Sequence, residues 1–125
     1  MIEILEYLRS ICKLSCDYAY NDVIPTDVTN AVAIRILNRG RIDRLDGNNV
    51  YNSALIQVFY RGTSDRLVSL TIAEAMSKNL NILDNVILDN TVIIQCHALA
   101  STFAFIDDNQ NVNYSITLNL DYQEL

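Results

Sequence analysis

The chain has 125 residues, half of them hydrophobic, and a formal net charge of -6 at pH 7. That is one domain's length (1–125), enough to hide roughly two-thirds of the surface that an unfolded chain of this size exposes, so a core can form without disulfide or metal staples. The acidic balance argues against a general nucleic-acid binder, no apolar run reaches the ~18 to 20 residues of a membrane span, and the first residues lack the basic start and cleavage site of a signal peptide.

Residues 2 to 16 predict a helix, because Ile4, Leu5, Leu8, Ile11, Cys12 and Ser15 form one stripe and Glu3 and Glu6 sit near the positive end of its dipole. Residues 17 to 29, with the single proline Pro25, read as an extended connector. Ala31 to Leu37 alternates, Val32, Ile34 and Ile36 against Ala33 and Arg35, and predicts a strand. Asn38 to Asn49, sequence NRGRIDRLDGNN, reads as a long polar loop carrying Arg39, Arg41 and Arg44. VYNSALIQVFYRG, from Val50, predicts a second strand with Val50, Ala54, Ile56, Val58 and Tyr60 on one face.

A helix should follow, capped by Thr63 or Ser64, with Val68, Ile72, Met76 and Leu80 as its buried stripe and Ala73 and Leu83 widening it. Residues 81 to 90 form an Asn- and Asp-rich turn region. Thr91 to Leu99 predicts a strand apolar on both faces, Val92, Ile94, Cys96 and Ala98 against Ile93 and Leu99. Phe103 and Phe105 precede a turn, DDNQN, and Val112 to Tyr122 then gives the clearest alternation in the chain. The expected architecture is α+β: a four-stranded, mainly antiparallel or mixed sheet with two helices packed on one face, in the order helix, strand, strand, helix, strand, strand. Ile56, Val58, Ile72, Met76, Ile94 and Ile116 are expected to be buried together.

The inventory for catalysis is thin. His97 is the single histidine and adjoins Cys96 on a strand, where neighbours point to opposite faces, so a Cys-His dyad is disfavoured. Cys12 and Cys16 share a helix face, but two further ligands for a tetrahedral metal site are not evident. The three cysteines are an odd number and suit buried thiols in a reducing compartment. Asp107 and Asp108 are paired carboxylates in a turn, in water and not in the apolar pocket that raises a carboxyl pKa. No phosphate cradle, nucleophile elbow, zincin helix or dinucleotide fingerprint is present. The aromatic residues read as core in preference to a ligand platform. No catalytic residue, metal or cofactor is expected.

The helix IEILEYLRSIC, the strand AVAIRIL with its polar loop, the strand ALIQVFYRGTSD running into LVSLTIAEAMSKNL, and the ending FAFIDDNQNVNYSITLNLDYQEL together resemble the tail-terminator, tail-completion or minor capsid proteins of long-tailed bacteriophages. The resemblance implies a non-enzymatic virion protein, assembled in the host cytoplasm, that forms a homo-oligomeric ring, commonly a hexamer, at the head-proximal end of the tail. Its implied partners are further copies of itself, the tail-tube protein and a head-completion protein, with passive DNA contact in the lumen and no membrane. The alternative from another class is an oligomeric α+β small-ligand-binding domain or enzyme with a site between subunits.

Charge is unevenly placed: residues 1 to 66 hold eight of the nine basic and eight of the fifteen acidic residues, so the remainder carries the whole negative excess. A solvated surface is one reading and head-to-tail association the other. On the second, Arg39, Arg41 and Arg44 would meet Asp84, Asp89, Asp107 and Asp108 of an adjacent subunit, or else face DNA in the lumen.

Overall fold

The computed structural model describes residues 1–43 and 50–125. Helix α1 spans Ile2–Cys12, strand β1 Tyr18–Asn21, β2 Ala31–Asp43, β3 Val50–Arg61, helix α2 Arg66–Leu80, β4 Val86–Ile87, β5 Thr91–Ala98, β6 Thr102–Ile106 and β7 Val112–Glu124. The expectations of a four-stranded sheet and of the order helix, strand, strand, helix, strand, strand are therefore overturned: among the described residues two helices accompany a curled, seven-stranded mixed sheet, with three strands before α2 and four after it, and the protein is mostly β. Its order is β1-β2-β3-β7-β5-β4, with β6 also on β7. The three strands that periodicity missed are short, at four, two and five residues, too few for alternation to stand out.

All neighbours are antiparallel except β1 and β2. β3 and β5 consequently run the same way on either side of β7, and α2 is the crossover between them. β5 and β6 lie end to end along one edge of β7, opposite 118–124 and 112–115 respectively.

The inner face of the sheet carries the main core. Ile34, Ile56, Val58, Tyr60, Ile116, Leu118, Leu120 and Tyr122 pack there with Ile4, Leu8 and Cys12 of α1 and Ala73, Met76 and Leu80 of α2. The α1 stripe follows its periodicity, although the helix ends at Cys12. In the α2 stripe Ala73, Met76 and Leu80 are buried as expected, but at its start Ser69 is buried in place of Val68, which is 47% exposed, and Leu83, beyond the helix end, is 78% exposed. Its cap is Asp65, whose carboxylate accepts the Val68 amide at 3.1 Å, and not Thr63 or Ser64. Ser69 faces inward because its hydroxyl accepts from the Thr63 amide at 3.0 Å, closing the turn between β3 and α2. Of the six residues expected in the core, Ile56, Val58, Met76 and Ile116 are fully buried, and Ile72 and Ile94 are half-buried.

Two β-bulges explain where alternation misleads. Ile36 lies opposite Ile56 but Asn38 opposite Leu55, so Leu37 is the extra residue and the phase of β2 reverses beyond it. The segment read as a polar loop is thus, through Asp43, a continuation of the strand. Ile93 lies opposite Tyr122 but Gln95 opposite Asp121, so β5 reverses at Ile94, and Thr91, Ile93 and Cys96 are buried on the core side.

On the outer face a second, smaller cluster of Ile24, Ala31 and Ala33, with Tyr20, Val28 and Phe59 against it, lies beneath the connector. Arg61 fastens that connector by donating to the carbonyls of Pro25 at 3.0 Å and Val28 at 3.2 Å.

Candidate functional site

The polar residues singled out in the sequence fall at two ends of the sheet. Arg39 lies opposite Ala54, and Ala54 opposite Leu120, near one end; Asp107 adjoins Val112, where β7 begins. Along β7 that separation is about 25 Å at ~3.3 Å per residue. Arg39 is exposed and its guanidinium donates to the Tyr122 hydroxyl at 3.4 Å. The backbone of Arg41 lies opposite Asn52, while Arg44 falls outside the described residues.

Arg39 shares a shallow cleft of about 450 Å³ with Glu3, Asn90, Thr91 and Glu124. Glu3 organises this end of the molecule, a role the sequence did not suggest. Its carboxylate accepts the Asn90 amide at 3.1 Å and the Thr91 hydroxyl at 2.9 Å, tying the start of α1 to the start of β5. These bonds, that from Thr91 foremost, hold its pKa below the ordinary value. Asp89 is exposed beside this junction, so it belongs to the end that carries Arg39; Asp84 is exposed just before β4.

At the far end, Asp107 and Asp108 occupy the turn between β6 and β7, but only Asp108 is fully exposed. Asp107 Oδ1 accepts the amides of Asn109 at 3.0 Å and Asn111 at 2.9 Å. Desolvation raises its pKa, and hydrogen bonding, chiefly from Asn111 and Asn113, outweighs it and leaves the carboxyl below its usual value. Asp107 is therefore engaged within its own chain.

The remaining reactive groups do not converge. Cys96 is fully buried and His97 exposed, on opposite sides of β5. Burial pushes the Cys16 thiol up to about 11 and the Cys96 thiol to about 12, and raises that of Cys12 further still, so these thiols are poor nucleophiles at neutral pH. Among the described residues no three His, Cys, Asp or Glu side chains gather as metal ligands, and no helix is long and apolar enough to cross a membrane.

Exposed apolar surface is the larger feature. Tyr60, Tyr114 and Tyr122 are core as expected, but Tyr18, Phe103 and Phe105 are 52%, 54% and 48% exposed. Phe105 stacks on Phe59 on the outer face, and Phe103 meets the Tyr114 ring edge-on. All five residues of β6 are exposed.

No family model matches the sequence, and no curated protein matches it. The fold is similar to that of a solved chain described as "Virion of native gene transfer agent (GTA) particle", with a TM-score of 0.55 at 13% identity over 94% of this chain and 84% of that one.

Proposed function

We propose that the protein is a structural component of a phage-like virion that assembles with copies of itself into a ring at the head-proximal end of the tail, where it terminates the tail tube and joins tail to head. The observation that carries this reading is the shared fold, over nearly the whole chain, with a chain of a gene transfer agent virion. Its contribution is architectural, and no side chain does covalent or acid-base chemistry. The exposed aromatic residues support association, since a domain with a well-filled core gains nothing from leaving Phe103 and Phe105 in water. The separation of Arg39 from Asp107 gives each subunit two chemically different ends, suited to different partners on the two sides of a ring.

Sedimentation and native mass measurement of the purified chain, together with particle assembly in cells lacking it, test the reading. A discrete oligomer, and heads and tails that accumulate unjoined without the protein, are the expected results. A chain that stays monomeric at high concentration, with particles that assemble normally in its absence, overturns it.

A further inference from the structure

We propose that β1 and β6, two open edges of the sheet beside the two-residue edge strand β4, are the two halves of one contact, so that β6 of one copy of this chain pairs antiparallel with β1 of the next. Among the described residues β1 pairs only with β2, and β6 only with β7. Each leaves a row of amides and carbonyls available to another strand.

The two edges stand level. Tyr20 lies opposite Ala33, Ala33 opposite Phe59, Phe59 opposite Ser115 and Ser115 opposite Thr102, one row crossing five strands from edge to edge. The row through Tyr18, Ala31, Arg61, Asn113 and Phe105 runs beside it. Strand sense also agrees: β1 runs with β2 and β7, and β6 runs against β7, so the second copy extends the sheet in the antiparallel pattern it already has. A head-to-tail contact between level edges carries no step along the strands, which is the condition for a ring to close instead of climbing into a filament.

The chemistry of the edges fits a second copy. Sheet proteins ordinarily blunt an open edge with Lys, Glu or Pro, and TFAFI has none of these. Phe105 projects on the outer face, the face on which Tyr18 and Tyr20 stack with ring centroids 6.4 Å apart. At matching heights these rings meet across the joint. Asp17, just before β1, is brought toward Asp107, just after β6. Asp107 is already paired with Arg61 at 3.8 Å, which blunts the repulsion.

The inference rests on the proposed self-association and is tested separately from it by disulfide trapping. Asn21 and Ser101 flank the two edges at the same height, and Cys12, Cys16 and Cys96 are buried, so they contribute little background. The double variant Asn21→Cys/Ser101→Cys, oxidised at concentrations where the oligomer forms, is expected to give a ladder of covalent multimers ending at the size of the native oligomer. Either single variant, and the control pair Asn21→Cys/Glu6→Cys, should give no ladder. A stable oligomer with no trapping by the double variant overturns the edge pairing and leaves the ring reading standing. A chain that is monomeric throughout removes both.

Discussion

The Nε of Arg61 lies 3.8 Å from Oδ2 of Asp107, while Nη1 of the same guanidinium donates to the carbonyls of Pro25 and Val28. One side chain from the end of β3 thereby holds both the connector over the outer face and the turn between β6 and β7. Arg61→Lys keeps the charge but loses the fork that reaches both, and should cost about 1.5 to 3 kcal/mol in urea unfolding, the range for hydrogen bonds to a charged group. A change within ~0.5 kcal/mol, that of an ordinary surface substitution, would mean the fork holds neither segment.

Asp107 itself predicts a pH dependence. Its carboxyl titrates lower in the folded chain than in the unfolded one, so its contribution is fully present above the ordinary Asp value of about 4 and is lost as pH falls through the folded value. The stability difference between wild type and Asp107→Asn should accordingly be largest at neutral pH and shrink progressively in acid. A gap that widens on acidification contradicts this assignment.

Gly62 is buried where β3 turns toward α2, and a Cβ placed there would lie 2.7 Å from the Ser69 Cβ and 3.0 Å from the Val112 carbonyl oxygen. Neither neighbour is the free end of a flexible side chain. Gly62→Ala should destabilise by about 1 to 3 kcal/mol, as overpacking does, with a matching fall in the denaturant midpoint.

The exposure of Val68 at the start of α2 is checked by a pair of truncations. Met76→Ala at the fully buried position should cost about 2 to 5 kcal/mol, whereas Val68→Ala, 47% exposed, should stay within ~0.5 kcal/mol. Comparable losses at the two positions would bury Val68, as periodicity predicted.

Those positions show how much of the fold was legible. Helix α1, strand β3 and strand β7 could be read because one face of each meets a single continuous core, so that alternation or a helical stripe survives intact. Val68 misled because burial on α2 is decided by Ser69, a polar residue made compatible with the interior by its bonds to the backbone of Thr63. Leu37 and Ile94 hid the true phase of β2 and β5, since a bulge leaves no signature in composition. Asn38 to Gly40 looked like loop because these residues are exposed, yet their backbone stays paired with β3. Of the proposed site, the arginines and the acidic turn could be named from the chain alone. That Asp89 lies at the arginine end, that Asp107 is already occupied, and that Phe103 and Phe105 face water came only from pairings across the sheet.

Arg39 and Arg41 lie near the end of the sheet opposite the Asp107 turn, away from the rows that join β1 to β6. On the proposed ring reading, reversing both to Glu should leave the mass of the oligomer unchanged and impair its joining to an axial partner or the passage of DNA. Dissociation of the oligomer, rescued by reversing Asp84 or Asp89, would instead put the arginines inside the ring contact. No change in mass, joining or DNA passage would make them a solvated hairpin.

β7 lies at the centre of the sheet, yet it is the last strand in chain order. Until it arrives, β1 to β3 and β4 to β5 are separate fragments, and β6 has nothing to pair with. Contacts as distant as Val58 with Ile116 make that closure a late and slow event during synthesis. A chain that has not reached β7 holds β6 unpaired, so on the proposed edge pairing competence to join a neighbour arises only once β7 is in place, and partly made copies are kept out of the assembly by the order of the strands.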